Sequence, residues 1–124
     1  MELSHELERD MMLSIEKSDK YDPSSEVLDD LRSKGYEDPQ IAYTAQKLYE
    51  GHLIEKKPSI DPTGVCCSFA TGNLTYEGHQ ILDNIRDDSV WSKAKEKVAE
   101  VVSSASISII AGAAQSYIKS KLGL

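Results

Sequence analysis

LTYEGHQILDNIRDDSVW, residues Leu74 to Trp91, holds more local structural signals than any other part of the chain. Thr75 has the short hydroxylated side chain of a helix N-cap, and Glu77 suits the positive end of the first turn. Gly78, Ile81, Leu82 and Ile85 share one side of a helix with 3.6 residues per turn, so the helix packs along that side. Asp87-Asp88-Ser89 is a stop followed by a fresh cap, which predicts a second helix starting around Trp91. Trp91 is the one tryptophan of the chain, and its place there suits an anchor for that helix.

Upstream, Leu3, Leu7, Met11 and Ile15 recur every four residues with Met12 beside them, predicting a helix from Leu3 to Lys17 capped by Ser4. Asp22-Pro23 and Asp38-Pro39 each put a capping carboxylate before a proline suited to the first helical position. The second helix would turn Val27, Leu28 and Leu31 inward and stop near Gly35. The third would turn Ile41, Ala42, Ala45, Leu48 and Tyr49 inward and stop at Gly51. Beyond Gly51 the pattern changes. His52 to Lys56, the turn-like Asp61-Pro62-Thr63-Gly64 and Val65 to Ala70 read as a β-hairpin. Three helices followed by a hairpin is the order of a winged helix, with the third helix as recognition helix and the hairpin as wing.

Downstream, Trp91, Ala94, Val98, Val101, Ala105, Ser108 and Gly112 alternate spacings of three and four in a heptad-like seam. Ser104, Ser108, Gly112, Ser116 and Ser120 form a second row at every fourth position. The expected class is therefore α+β and mostly helical: a winged-helix-like domain over residues 1–88 and a helical extension over 89–124, made of one long helix or two.

The motifs Ser4-His5, Arg9-Asp10, Leu13-x-Ile15-Glu16, the whole of residues 74–91 and the closing Leu122-Gly123-Leu124 resemble a family of small bacterial and phage proteins, domain-of-unknown-function family 2513. Ser4 stands where the family pattern leads one to expect Asn. The resemblance implies a winged-helix-like fold and a phage or prophage setting. It implies no activity.

With 40% apolar and 28% charged residues, the 124-residue chain has the composition of one globular domain rather than a disordered segment. Aromatics make up only 6%, so the core rests on aliphatics. The net charge of −7 is unevenly spread. Residues 1–88 carry nine Lys or Arg against nineteen Asp or Glu, whereas residues 89–124 carry five against two. Such an acidic bulk opposes strong sequence-independent DNA affinity, although a small basic patch remains compatible with it. Cys66 and Cys67 are adjacent, too close for an ordinary bridge, and lack the second pair a zinc site needs. They read as reduced thiols buried along the hairpin, with a redox switch as the alternative. No apolar leader follows the N-terminus, and a cytoplasmic location is expected.

On a recognition helix, Gln40, Tyr43, Thr44 and Lys47 would share the outward face. Gln can pair with an adenine edge, Thr can meet a thymine methyl, and Tyr and Lys can hold phosphates of double-stranded DNA, with Lys56 and Lys57 adding contacts from the wing. The alternative is a plain polar or protein-contact face, since Glu37, Asp38 and Glu50 border it. His5 and His79 match family positions, yet no nucleophile or acid partner is displayed, so hydrogen bonding is their simpler role. His52 suits the end of the third helix. Arg86 among Asp83, Asp87 and Asp88 reads as capping and ion pairing rather than a metal site, and Asp10 and Glu16 as helix-surface or interhelical partners.

Residues 98–118 carry one charge, Glu100, but their serines and Gln115 weaken a membrane-spanning reading. Val98, Val101, Ala105, Ser108, Ile109 and Gly112 would form an oligomer interface or an intramolecular seam, with membrane-surface association or a partner protein as alternatives. The expectation is a non-enzymatic homodimer, without cofactor or metal, serving as a DNA-binding or regulatory module. Its rival is an acidic interaction module or inhibitor that docks a basic partner protein.

Overall fold

The computed structural model describes residues 1–58 and 69–124. Among these the protein is all-helical, with α1 (His5–Lys17), α2 (Ser24–Ser33), α3 (Asp38–Glu50), α4 (Tyr76–Ile85), α5 (Asp88–Ala99) and α6 (Ile107–Leu122). The chain divides into two compact units, Met1–His79 and Gln80–Leu124.

Local chemistry accounts for the helix ends. Ser4 caps α1 by accepting from the Leu7 amide at 3.2 Å, and Asp87 caps α5 by accepting from the Ser89 and Val90 amides at 3.0 Å each. Asp22 Oδ1 accepts from the Ser24 amide and, at 2.5 Å, from the Ser24 hydroxyl as α2 begins. Gly35 closes α2 in the left-handed region, with the Tyr36 amide donating back to the Leu31 carbonyl at 3.2 Å. At the end of α3 the left-handed residue is His52 rather than Gly51, with φ of 63°.

In the first unit α1 packs on α2 and α3, and α2 packs on α3. Leu7, Met11, Met12 and Ile15 of α1 meet a core completed by Val27, Leu31, Ile41, Ala42, Ala45, Leu48, Leu53, Ile54 and Leu74, all buried. Each fully buried aliphatic side chain contributes roughly 1.5–3 kcal/mol. In the second unit α5 packs on α6, and Trp91, Ala94, Ile107, Ile110, Ala111 and Ala114 are buried.

The expected α+β class and its hairpin wing are corrected: the described residues contain no strand. Ile54 and Leu74 form a single isolated antiparallel bridge. Leu53 and Ile54 are adjacent and both buried, which breaks the two-residue alternation of a half-buried strand. His52 to Lys56 is instead a link tied to residues 71–75: Glu55 N–H donates to Asn73 O, Lys56 N–H to Thr71 O and Thr75 N–H to Leu53 O, each at 3.0 Å. The expected turn at Asp61-Pro62-Thr63-Gly64, most of the second strand, and Cys66 and Cys67 lie outside the described residues.

The helical extension is two helices, not one. α5 ends at Ala99, and Ser106 opens α6 by accepting from the Ile109 amide at 3.3 Å. The heptad-like seam from Trp91 to Gly112 is therefore not one continuous helix face. Among the described residues no helix is long and apolar enough to cross a membrane.

Candidate functional site

The family-like residues at the start of α4 work as a staple. Thr75 Oγ1 donates to the His52 carbonyl at 2.6 Å and accepts from the Gly78 amide at 3.0 Å, so one hydroxyl caps α4 and holds it to the exit of α3. At Gly78 the backbone of α4 lies close against that of Leu53. A Cβ there would overlap the Leu53 carbonyl oxygen and lie 3.2 Å from the Leu53 carbonyl carbon and 3.3 Å from Leu74 Cβ. Next along, His79 Nδ1 is 3.6 Å from Glu16 Oε2, which brings together two residues of the family-like motifs. At the other end of α1, His5 Nδ1 lies 2.7 Å from Glu8 Oε1. Burial pushes the Glu8 carboxyl up, and the contact with His5 opposes that. Tyr36 donates to Asp10 Oδ2 at 2.7 Å, and burial together with Asp10 drives the phenol pKa upward. Asp10, Glu16 and His79 therefore make contacts between segments, and His5 makes one within α1.

The expected recognition face is only partly present. Gln40, Tyr43 and Lys47 are half-exposed on one side of α3, but Thr44 is 2% exposed and belongs to the core. The reason is that α3 touches both α1 and α2, so its buried arc is wider than one apolar stripe. Lys47 Nζ lies 3.1 and 3.4 Å from the two Glu50 carboxylate oxygens and 5.3 Å from the Tyr43 ring centroid. Lys56 Nζ lies 3.8 Å from Asp22, and Lys57 is exposed. Arg32 grips Asp38 with two hydrogen bonds of 2.7 and 2.6 Å. Most cations expected to meet phosphate thus already face a carboxylate, while Asp29 and Glu37 are exposed on the same unit.

A polar cleft of about 360 Å³ at the end of α1 was not foreseen from sequence. Its lining includes Ser14, Lys17, Ser18, Lys20, Glu26 and Asp30. Ser18 donates to Glu26 at 2.6 Å and Lys20 lies 3.1 Å from Glu26, while Asp30 pairs with Lys34 outside the lining at 3.1 Å. No helix periodicity would reveal it, because it forms where the end of α1 turns back toward α2.

Several carboxyls titrate below their ordinary values: Asp22 through its bonds to Ser24, Glu26 through Ser18 and Lys20, and Asp38 through Arg32. At Asp30 burial opposes the shift, but hydrogen bonds from Ser14 and Lys34 outweigh it. A depressed folded-state pKa means stability that is present above the unfolded value and lost as pH falls through the folded one. Glu8, raised by burial, acts oppositely and loses its contribution as pH rises. With four carboxyls lowered and one raised, the melting temperature is expected to fall as pH drops below about 4, as circular dichroism would follow. A melting temperature unchanged from pH 7 to pH 2.5 would contradict these pairings.

Of the expected oligomer interface, Val101, Ser108, Ile109 and Gly112 are exposed, and Val98 and Ala105 are half-buried. Lys97, Val98, Val101, Val102, Ile109 and Ala113 line an apolar groove of about 310 Å³ in the second unit. Arg86 donates to Asp83 at 2.6 Å, matching the ion-pair reading of that cluster.

A family model described as Hypothetical protein (DUF2513) matches residues 2–105. An uncharacterized protein of Haemophilus influenzae (strain ATCC 51907 / DSM 11121 / KW20 / Rd) is 30% identical over 89 residues, covering 71% of this chain and 73% of that protein. No solved structure matches.

Proposed function

This chain belongs to the family described as Hypothetical protein (DUF2513), and from the charge of its helical surface we propose that it is a non-enzymatic interaction module that docks a basic partner protein. The observation that carries this reading is the state of the cations around α3. Lys47 is held by Glu50, Arg32 by Asp38 and Lys56 by Asp22, whereas Asp29 and Glu37 remain exposed. Residues 1–79 carry eight Lys or Arg against sixteen Asp or Glu, so the unit presents a net negative field. Such a field attracts lysine- and arginine-rich surfaces and repels phosphate backbones. The phosphate-binding face of a nucleic-acid-binding protein has the required chemistry. Docking there would make this protein an inhibitor that competes with nucleic acid.

A direct DNA-binding role is the second reading, favoured by Gln40, Tyr43 and Lys47 sharing a half-exposed side of α3. The two roles predict opposite responses. For docking, the double change Asp29→Lys with Glu37→Lys is expected to weaken binding of an arginine-rich helical peptide about tenfold, and Lys47→Ala to leave it nearly unchanged. Calorimetry at two salt concentrations measures both. Enrichment of a DNA motif from a fragment library, abolished by Lys47→Ala, would replace docking by DNA binding.

A further inference from the structure

We infer that the exposed side of the α5–α6 hairpin is the seat of a second copy of this chain, laid antiparallel across a two-fold axis. From Val101 to Ile118 the sequence contains eighteen residues and no charge. α6 spends part of this run on its own core through Ile107, Ile110, Ala111 and Ala114. The rest faces outward: Val101 is 83% exposed, Val102 45% and Ile109 60%. These three also line the apolar groove with Val98, Ala113 and Lys97, so the exposed aliphatics form one concave patch rather than scattered side chains. A partner seated on the uncharged part of that patch desolvates no ion.

Charge at the two ends of the run identifies the occupant and its direction. Glu100 stands just before it, and Lys119 and Lys121 just after it. All three are exposed and make no ion pair among the described residues, and Lys97, the cation one turn before Glu100, lies over the Tyr117 ring of its own chain at 5.9 Å. A second copy in antiparallel orientation brings each acidic end against the other's basic end, twice over by symmetry. A parallel copy would oppose like charges. Area requires α5 to take part. A sixteen-residue helix is about 24 Å long and 10 Å wide, so α6 alone covers on the order of 250 Å² per copy. Stable interfaces bury at least about 600 Å² per partner, more than the roughly 430 Å² that α5 and α6 together offer, so Val98 and Val101 must be covered together with Ile109 and the contact belongs to the small, weaker class. This inference does not depend on the docking function proposed for the first unit.

Light scattering and sedimentation equilibrium of the full chain test it. The wild type is expected to be a dimer at micromolar concentration. Ile109→Glu, at an exposed position that leaves far-ultraviolet helicity intact, is expected to raise the dimer dissociation constant about a hundredfold by desolvating a carboxylate in the apolar seam. Glu100→Lys is expected to weaken the dimer about tenfold, and adding Lys119→Glu with Lys121→Glu in the same chain to restore it. Only antiparallel pairing predicts that rescue. A wild type that stays monomeric at about 100 μM, or a dimer indifferent to Ile109→Glu, overturns the assignment. So does a monomer that co-sediments with phosphatidylglycerol vesicles through Ile109, because the patch would then face a membrane.

Discussion

Replacing Gly78 with alanine is expected to cost about 3–5 kcal/mol of folding stability, a large fraction of what a domain of this size possesses. The added methyl has no space. It would overlap the Leu53 carbonyl oxygen and crowd Leu74, and the first obstruction is backbone rather than the end of a pliable side chain. Relief requires separating α4 from the exit of α3. That motion stretches the bonds from Thr75 N–H to Leu53 O at 3.0 Å and from Thr75 Oγ1 to His52 O at 2.6 Å. Gly112 is the natural control, because a Cβ there meets nothing within 4 Å. Gly112→Ala in mid-helix is expected to stabilise by about 0.5–1 kcal/mol. Urea unfolding of both variants checks the pair. Equal effects would mean that glycine is present at residue 78 for chain flexibility and not for close approach.

Thr44→Lys is expected to destabilise the protein by about 2–5 kcal/mol, the cost of forcing an ammonium into a packed site or of breaking the packing to release it. Thr44 is 2% exposed and lies on α3 among Ile41, Ala42, Ala45 and Leu48, all buried. Gln40→Lys, on the half-exposed side of the same helix, should change stability by less than about 0.5 kcal/mol. The contrast also bears on function. If Thr44 read bases from a solvated face, a lysine there would be tolerated and would raise affinity for DNA. Thermal melts of the two variants, together with a DNA-binding measurement on each, distinguish these outcomes.

Much of the helical framework was legible in the sequence. Ser4, Asp87 and the repeating aliphatics of α1 and α3 act within a few residues of themselves. A cap is a bond to an amide two or three residues on, and an apolar stripe follows from 3.6 residues per turn. Ser106 was an equally local signal for the start of α6, but it was hidden in a run where apolar periodicity continues across the break. The candidate site was less legible. Lys47 pairs with Glu50 three residues on in the same helix, but Lys56 and Arg32 are neutralised from other segments, by Asp22 and Asp38. Periodicity places a lysine on a face but does not show which carboxylate folds against it.

Sequence alone determined the caps at Ser4, Thr75 and Asp87, that residues 74–91 form a capped helix followed by another, and that acid is concentrated in the first two-thirds of the chain. Tertiary structure decided the rest. Contact of α3 with both α1 and α2 takes Thr44 out of the solvent, and the meeting of α4 with residues 52–54 explains Gly78 and replaces a hairpin by an isolated bridge. Capping and helix periodicity are bonds and geometry between near neighbours, so a single segment encodes them. Burial and close backbone approach depend on residues tens of positions away, and they exist only once the segments have packed.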